Sequence, residues 1–337
     1  MTLDEGARGM TVEEGLTRAA QSLSGATHVA LACHLNPDAD ALGAMLGLAD
    51  FLRSRGVETT CSFPNEPLDP PRWAALLPGS DGLVPMKDFP KEPAVMVTCD
   101  CAAFDRLGAL GHAASRAGEL IWIDHHRSND GLGTVPVIDP AASSTCEIVF
   151  RLIEAMGGGL TDDAAACLYA GLVTDTGRFQ YEATTPETLR VAARLREHDF
   201  DHSRLVQALY DDNRPAYLRL LGTALARLVE VPAAGLVWTY LTQADLAASG
   251  VRAAETDDLI DVIRTARGVD VAALVKQQQD GRFKVSVRSR GDHDLAAAAT
   301  TFGGGGHRLA AGYTSEHGAE ETIERLVEVL RGQRVEP

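Results

Sequence analysis

The sequence predicts an α/β protein. A larger N-terminal domain carries a mostly parallel sheet flanked by helices, and a helical linker joins it to a smaller C-terminal α/β domain. Three observations point there. Apolar strand-like runs alternate with segments of helical spacing through the first half of the chain. Those runs are continuously apolar rather than alternating, as expected of strands covered on both faces. A stretch with no strand candidate, about 186–230, then separates them from a second set of runs. At 337 residues the chain has material for two domains. We place them at 12–195 and 231–334, with the linker at 196–230.

Each element has its own warrant. Residues 27–33 (THVALAC) form a short Val/Ala-rich run that stops at polar residues. Residues 39–53 then carry Leu42, Leu46, Ala49 and Leu52 at helical spacing. Residues 93–99 (PAVMVTC) and 119–123 (ELIWI) are two further buried-strand candidates. Ser143 and Ser144 can cap the helix TCEIVFRLIEAM, which ends at the glycines 157–159. Residues 161–163 can cap the next, AAACLYAGLVTDTG. The linker reads as TLRVAARLREHDF, HSRLVQALY and AYLRLLGTALARLVE. Beyond Gly235 come LVWTYL, VDVAALVKQQQ and RFKVSVRSR, then a terminal helix TIERLVEVLRG. Asp280-Gly281 between two of these runs signals a hairpin.

Composition excludes several classes. With 31 Lys+Arg against 47 Asp+Glu the net charge is −16, which disfavours long duplex nucleic acid, because such binding depends on basic surfaces that release counterions. A short anionic substrate stays open if positive charge is supplied locally. No apolar run approaches the ~18–20 residues of a membrane span, and the acidic N-terminus lacks the order of a secretion signal. The cysteines 33, 61, 99, 101, 146 and 167 include no CxxC pair and several sit in apolar runs. Buried, reduced thiols and a cytoplasmic location are expected.

The informative positions are polar residues where strand runs end. The first ends in His34-Leu-Asn-Pro-Asp38-Ala-Asp40, the second in Asp100 and the third in Asp124-His125-His126. Open α/β sheets bind ligands beyond the carboxyl ends of their strands, so these residues converge on one site. Asp175, at the end of an apolar helix before TGRF, is a fourth contributor. Taken singly, each has a plainer use: Asp38 or Asp40 as a helix cap, His34 as a packed histidine, the His pair as surface, Asp175 as a turn residue. Together they imply a metal site. Carboxylates and imidazoles without thiolates favour a harder divalent ion such as Mn²⁺ over structural zinc. Converging carboxylates would repel one another and resist ionisation, and two cations ~3.5–4 Å apart would resolve that in the arrangement used on phosphate esters.

The motifs HLNPDADALGA, TCD, IDHH and TDTGRFQ, followed by FGGGGHRLAAG at 302–312, resemble the signatures of the DHH phosphoesterase superfamily and its DHHA1 substrate-binding domain. Within it the chain is similar to the oligoribonuclease (nanoRNase)/pAp-phosphatase type, some members of which act on cyclic-di-AMP or its linear product. The resemblance implies two Mn²⁺ ions per site, with Mg²⁺ or Co²⁺ as substitutes. One would be held by His34, Asp38 and Asp100, the other by Asp40, Asp100, His125 and Asp175, with Asp100 bridging. A hydroxide shared by the metals would attack phosphorus in line. His126 would contact the scissile phosphate, Asp124 would orient the histidines, and both join Asp100 and His307 in the implied catalytic set. The resemblance also implies a cleft between the domains, and a homodimer.

The second domain has its own physical reading. Gly304, Gly305 and Gly306 permit positive φ and close backbone approach, so amides there can cradle an anion, with His307 as a further donor; the plainer reading is a flexible loop before a helix. Between 264 and 308 there are eight basic residues (264, 267, 276, 282, 284, 288, 290, 308) against four acidic (270, 280, 292, 294). Arg288-Ser289-Arg290 ends a strand run, so the two arginines share a face and can grip phosphate together, unless they are only a solvated edge, and Ser289 is counted with them among the substrate-binding candidates. Phe302 and Tyr313 either stack on a base or belong to the core. The expected activity is Mn²⁺-dependent hydrolysis of short oligoribonucleotides, pAp, pApA or cyclic-di-AMP. An inorganic pyrophosphatase-like enzyme and an inactive nucleotide sensor are the alternatives.

Overall fold

The computed structural model describes residues 9–129, 131–291 and 293–333. The chain divides after Asp212 into two compact units.

The first unit runs α1 (Val12–Gly25), β1 (His28–Cys33), α2 (Ala39–Ser54), β2 (Glu58–Ser62), β3 (Val95–Cys99), α3 (Gly111–Ala114), β4 (Glu119–Asp124), β5 (Val135–Ile138), α4 (Thr145–Ala155), α5 (Asp162–Asp175), α6 (Pro186–Leu195) and α7 (His202–Tyr210). Its five strands lie in the order β2-β1-β3-β4-β5, and every neighbouring pair is parallel. The order reverses at β1, where β2 lies to one side and β3 to the other. Loops leaving β1 and β3 therefore diverge and open a crevice at the strands' carboxyl ends.

Both faces of this sheet are covered, as continuous apolar strands require. Val29, Leu31, Val97, Ile121 and Val137 pack beneath α1, α2, α4 and α5, while Ala30, Ala32, Met96 and Trp122 face Leu107, Leu110 and Ala114. Trp122 is wholly buried, and its indole N–H donates to the Cys101 carbonyl at 2.7 Å. All six cysteines are free and buried. Helix α2 is buried almost all round, because α5 lies against it as well as the sheet. Small residues permit that approach: a Cβ on Gly43 would meet the Cys167 carbonyl oxygen at 2.4 Å. One on Gly171 would meet Cys146 Sγ at 2.3 Å and Asp40 Cα at 2.7 Å.

The second unit runs α8 (Pro215–Ala226), β6 (Val229–Val231), β7 (Leu236–Leu241), α9 (Gln243–Ser249), α10 (Leu259–Ile263), β8 (Val271–Gln277), β9 (Phe283–Ser289), α11 (Leu295–Thr300), β10 (Gly305–His307), β11 (Ala310–Ser315) and α12 (Ala319–Gln333). Its six strands are ordered β10-β11-β9-β8-β7-β6, with β7 and β8 parallel and the other neighbours antiparallel. Helices α11 and α12 cover one face, and α8, α9 and α10 the other. The Asp280-Gly281 hairpin forms, with Gly281 at φ +86°.

The helical stretch of 186–230 is shared between the units: α6 and α7 belong to the first, α8 to the second. Its end is not helical. Val229 and Glu230 open edge strand β6, whose residues pair with β7 from Val229↔Trp238 onward. The segment after the four glycines is likewise a strand, β11, rather than a helix.

Candidate active site

The carboxyl ends of β1, β3 and β4 and the C-terminus of α5 deliver the predicted residues to one place. His34 follows β1 directly, and its Nε2 lies 3.8 Å from Asp38 Oδ2 and 3.4 Å from Asp100 Oδ2. Asp38 is both cap and candidate ligand: its Oδ1 accepts the Ala41 N–H at 3.0 Å, while Oδ2 faces His34. The loop between them is fixed by Asn36, at φ +54°, which exchanges hydrogen bonds of 2.8 and 2.7 Å with the Asn65 amide.

Asp100, at φ +58° and 3% exposed, turns its two oxygens to different neighbours. Oδ2 faces His34, whereas Oδ1 lies 3.6 Å from His125 Nε2 and accepts the Thr145 hydroxyl at 3.0 Å. His125 Nε2 is also 3.3 Å from Asp175 Oδ2 and 4.0 Å from Asp40 Oδ2. Asp40 is held at the N-terminus of α4, accepting from the amides of Thr145 (2.7 Å) and Cys146 (2.9 Å). Asp124 is fully buried and organises the pair of histidines. Its Oδ1 accepts from the His125 amide (2.9 Å), the His126 amide (3.3 Å) and His126 Nδ1 (2.6 Å), and Oδ2 accepts from Asn129 at 2.7 Å.

Electrostatics show what this geometry demands. Burial, then the nearby Asp100 carboxylate, push Asp40 up to about 6. Asp175 is pushed well up by burial and by Asp40, Asp38 and Asp100. Burial would lower His34, but its contacts with Asp100 and Asp38 carry it up to about 10. Asp100 goes the other way: burial opposes its charge, yet His34, His125 and His126 hold it well below the usual carboxylate range. The pocket carries more negative charge than its side chains can neutralise without taking up protons. Divalent cations meet that demand, and the oxygen and imidazole donor set suits hard to borderline ions. Three groups bring ligand atoms within 4.8 Å of one another: His34, Asp38 and Asp100; Asp40, His125 and Asp175; and Asp100, His125 and His126. Asp100 belongs to two of them.

In the second unit Arg288 lies on β9 and Arg290 just past its end; Arg290 is exposed and Arg288 half-buried. Ser289 points to the opposite face, where it is buried and donates to Asp270 Oδ1 at 3.2 Å. Asp270 also holds the buried His293 through Nδ1. Gly304 and Gly306 are required by close packing: a Cβ on Gly304 would meet the Gly312 carbonyl at 2.2 Å, and one on Gly306 the Ala310 carbonyl at 2.5 Å. At Gly305 a Cβ would meet nothing within 4 Å. The backbone of His307 pairs with Ala310 in the hairpin; its side chain lies outside the described residues. Phe302 and Tyr313 stack on each other at 4.5 Å and pack with the core. The basic balance of 264–308 is narrower in space than in sequence, because Lys276 and Lys284 pair with Asp257, Arg264 with Asp261 and Arg282 with Asp280. By contrast, Arg288, Arg290 and Arg308 hydrogen-bond only backbone carbonyls among the described residues.

Three further residues, Thr145, Asn129 and Arg106, touch these groups without having been picked out from the sequence. Thr145 holds both Asp40 and Asp100, Asn129 braces Asp124, and Arg106 Nη2 lies 3.0 Å from His34 Nδ1. Only Thr145 carried a local signal, since it begins the helix that Ser144 was expected to cap.

Comparison with known proteins identifies the family. The profile of the DHH family, N-terminal domain, matches residues 28–172, and that of the DHHA1 domain matches 238–333. A bifunctional oligoribonuclease and PAP phosphatase NrnA from Thermus thermophilus is 34% identical over 303 residues, 89% of this chain and 88% of its own. The chain belongs to the DHH–DHHA1 phosphoesterase family. A cyclic-di-AMP phosphodiesterase GdpP from Geobacillus thermodenitrificans is 27% identical over 88% of this chain but 46% of its own length. In fold, the chain resembles an exopolyphosphatase-related protein from Bacteroides fragilis, with TM-score 0.88 and 24% identity, covering 95% and 96% of the two chains. The DHH match contains every clustered ligand candidate except Asp175, which lies three residues beyond its end (175 − 172). The DHHA1 match contains Arg288, Arg290 and the glycine hairpin.

Proposed function

We propose that this chain is a divalent-metal-dependent phosphoesterase that hydrolyses short oligoribonucleotides, pAp, and linear or cyclic di-adenylate. One observation carries the reading: Asp100 offers one oxygen toward His34 and the other toward His125, the disposition of a carboxylate shared by two cations. His34, Asp38 and Asp100 would hold one ion, and Asp40, Asp100, His125 and Asp175 the other, with Mn²⁺ the expected ion. When bound, such ions activate water and stabilise charge on the phosphoryl group. The chain's own residues do the rest. Asp124 orients His125 through its amide and His126 through its ring, so that His126 is aimed at the phosphoryl group. Thr145 and the N-terminus of α4 hold Asp40 and Asp100 in register. Arg288, Arg290, His307 and the glycines 304–306 are the proposed substrate-binding residues, with Ser289 fixing the turn between the arginines through Asp270 and the Gly291 amide.

The relatives named as oligoribonuclease and PAP phosphatase support the substrate class, and the one named as a cyclic-di-AMP phosphodiesterase supports extending it to di-adenylates. The reading includes a cytoplasmic homodimer; among the described residues no helix is long and apolar enough to cross a membrane. The test is turnover of pApA, pAp, cyclic-di-AMP and pyrophosphate by one preparation with Mn²⁺, beside Asp100→Asn, a substitution that suits the positive φ. Loss of di-adenylate and pAp hydrolysis in a folded Asp100→Asn protein is expected. Turnover of pyrophosphate alone, or undiminished activity in the variant, would overturn the proposal. Sedimentation of the same preparation tests the dimer.

A further inference from the structure

We propose that Arg106 is a phosphate-binding residue, its guanidinium taking a substrate phosphoryl oxygen at the edge of the His34–Asp38–Asp100 cluster. The proposal rests on the function given above and adds a residue to it. Arg106 lies in the short helical segment after β3, Phe104–Leu110, and its carbonyl accepts the Leu35 N–H at 2.9 Å. This contact ties Arg106 to the loop that carries His34. Its side chain is exposed, and no carboxylate of the described residues lies within 4.0 Å of its guanidinium. Such a cation is out of the ordinary in a chain of charge −16, one imidazole away from Asp38 and Asp100, which face the other nitrogen of His34.

Its one side-chain partner among the described residues, His34, is conditional. His34 Nδ1 lies 3.0 Å from Arg106 Nη2 and 2.9 Å from the Leu35 carbonyl. A ring nitrogen either carries a hydrogen and donates to Leu35, or offers a lone pair and accepts from Arg106; it cannot do both. His34 presents Nε2 to the carboxylates, so ligation from Nε2 places the hydrogen on Nδ1 and directs it to Leu35. In that tautomer His34 offers the guanidinium no acceptor, and the described residues supply no other. The cluster it borders is where a phosphoryl group would bind, and guanidinium matches two phosphoryl oxygens with paired N–H groups.

The experiment compares wild type, Arg106→Gln and Arg106→Lys. It measures Mn²⁺ affinity on metal-stripped protein by titration calorimetry, AMP affinity on Mn²⁺-loaded protein, and KM and kcat for pApA. Arg106→Gln is expected to raise the AMP Kd and the pApA KM about 10–100-fold, the loss of one or two charge-assisted hydrogen bonds. Mn²⁺ affinity should stay within about threefold, and lysine should recover part of the loss. Weakened Mn²⁺ binding with unchanged AMP affinity would overturn the proposal and make Arg106 a positioning residue for His34; so would no change in either. Wild-type turnover of pApA with an Arg106 variant that binds AMP normally sinks this proposal alone. Arginine-dependent AMP binding without any wild-type turnover sinks the proposed function instead.

Discussion

Replacing Gly171 with alanine should disturb the proposed metal-binding cluster without replacing any of its residues. The added Cβ would stand 2.3 Å from Cys146 Sγ, 2.7 Å from Asp40 Cα and 2.8 Å from Asp40 Oδ1. Restoring an ordinary 3.4 Å separation requires movement of about 0.7 Å at Asp40 Cα and about 1.1 Å at the sulfur, in a region packed like a crystal. Overpacking of this kind costs about 1–3 kcal/mol. For a unit of this size that lowers Tm by about 2–12 °C. The displaced residue is Asp40, whose carboxylate is held by two α4 amides, so Mn²⁺ affinity should fall as well. Calorimetric melting gives the first quantity, and Mn²⁺ titration of metal-stripped protein the second. Cys146→Ala in the Gly171→Ala background removes the sulfur clash but leaves Asp40 Cα, so it should recover stability more than metal affinity. A Gly171→Ala protein that melts and binds Mn²⁺ like wild type would refute the claim that α2, α4 and α5 meet without slack at this point.

Three further outcomes are expected. Asn129→Ala removes the amide that donates to Asp124 Oδ2 and to the Cys101 carbonyl, leaving a fully buried carboxylate oxygen short of a partner. It should cost about 1–3 kcal/mol in chemical denaturation, and kcat for pApA should fall because Asp124, which anchors His126, loses its brace. Burial pushes the Cys61 thiol up to about 12. The folded value lies above the unfolded one, so stability is intact below about pH 8.5 and is lost as pH rises toward 12. Between pH 8.5 and 10 this one group should remove about 2 kcal/mol, and Cys61→Ala should flatten that part of the stability–pH curve; an unchanged slope would contradict it. Gly222 sits within α8 with nothing within 4 Å of a built Cβ. Gly222→Ala should therefore stabilise the second unit by about 0.5–1 kcal/mol in a thermal melt.

Central strands and their helices were legible because burial on both faces writes itself as an uninterrupted apolar run. β1, β3 and β4 are such strands, and each hands a polar residue to the crevice at its end. The edge strands were not. β2 is Glu-Thr-Thr-Cys-Ser, too polar to read as buried, and β5 carries Pro136, which a strand tolerates when it lies at the border of a sheet. β6 was absorbed into a helical reading because three residues, Val229 to Val231, hold too little pattern against the helix before them. Asp38 shows why asking whether a residue is cap or ligand can be the wrong question, since its two oxygens face the two tasks separately. Thr145, Asn129 and Arg106 escaped for a common reason: they act on groups 105, 5 and 72 positions away, through contacts that exist only once the chain is folded.

Among the described residues, every ligand candidate that clusters belongs to the unit ending at Asp212. Under the proposed function, ion chemistry is thereby encoded in one contiguous stretch of chain. Substitutions in the other stretch would then be free to retune which nucleotide is favoured while the ion-binding side chains stay as they are, so that such a lineage could acquire new specificities without rebuilding its reaction centre.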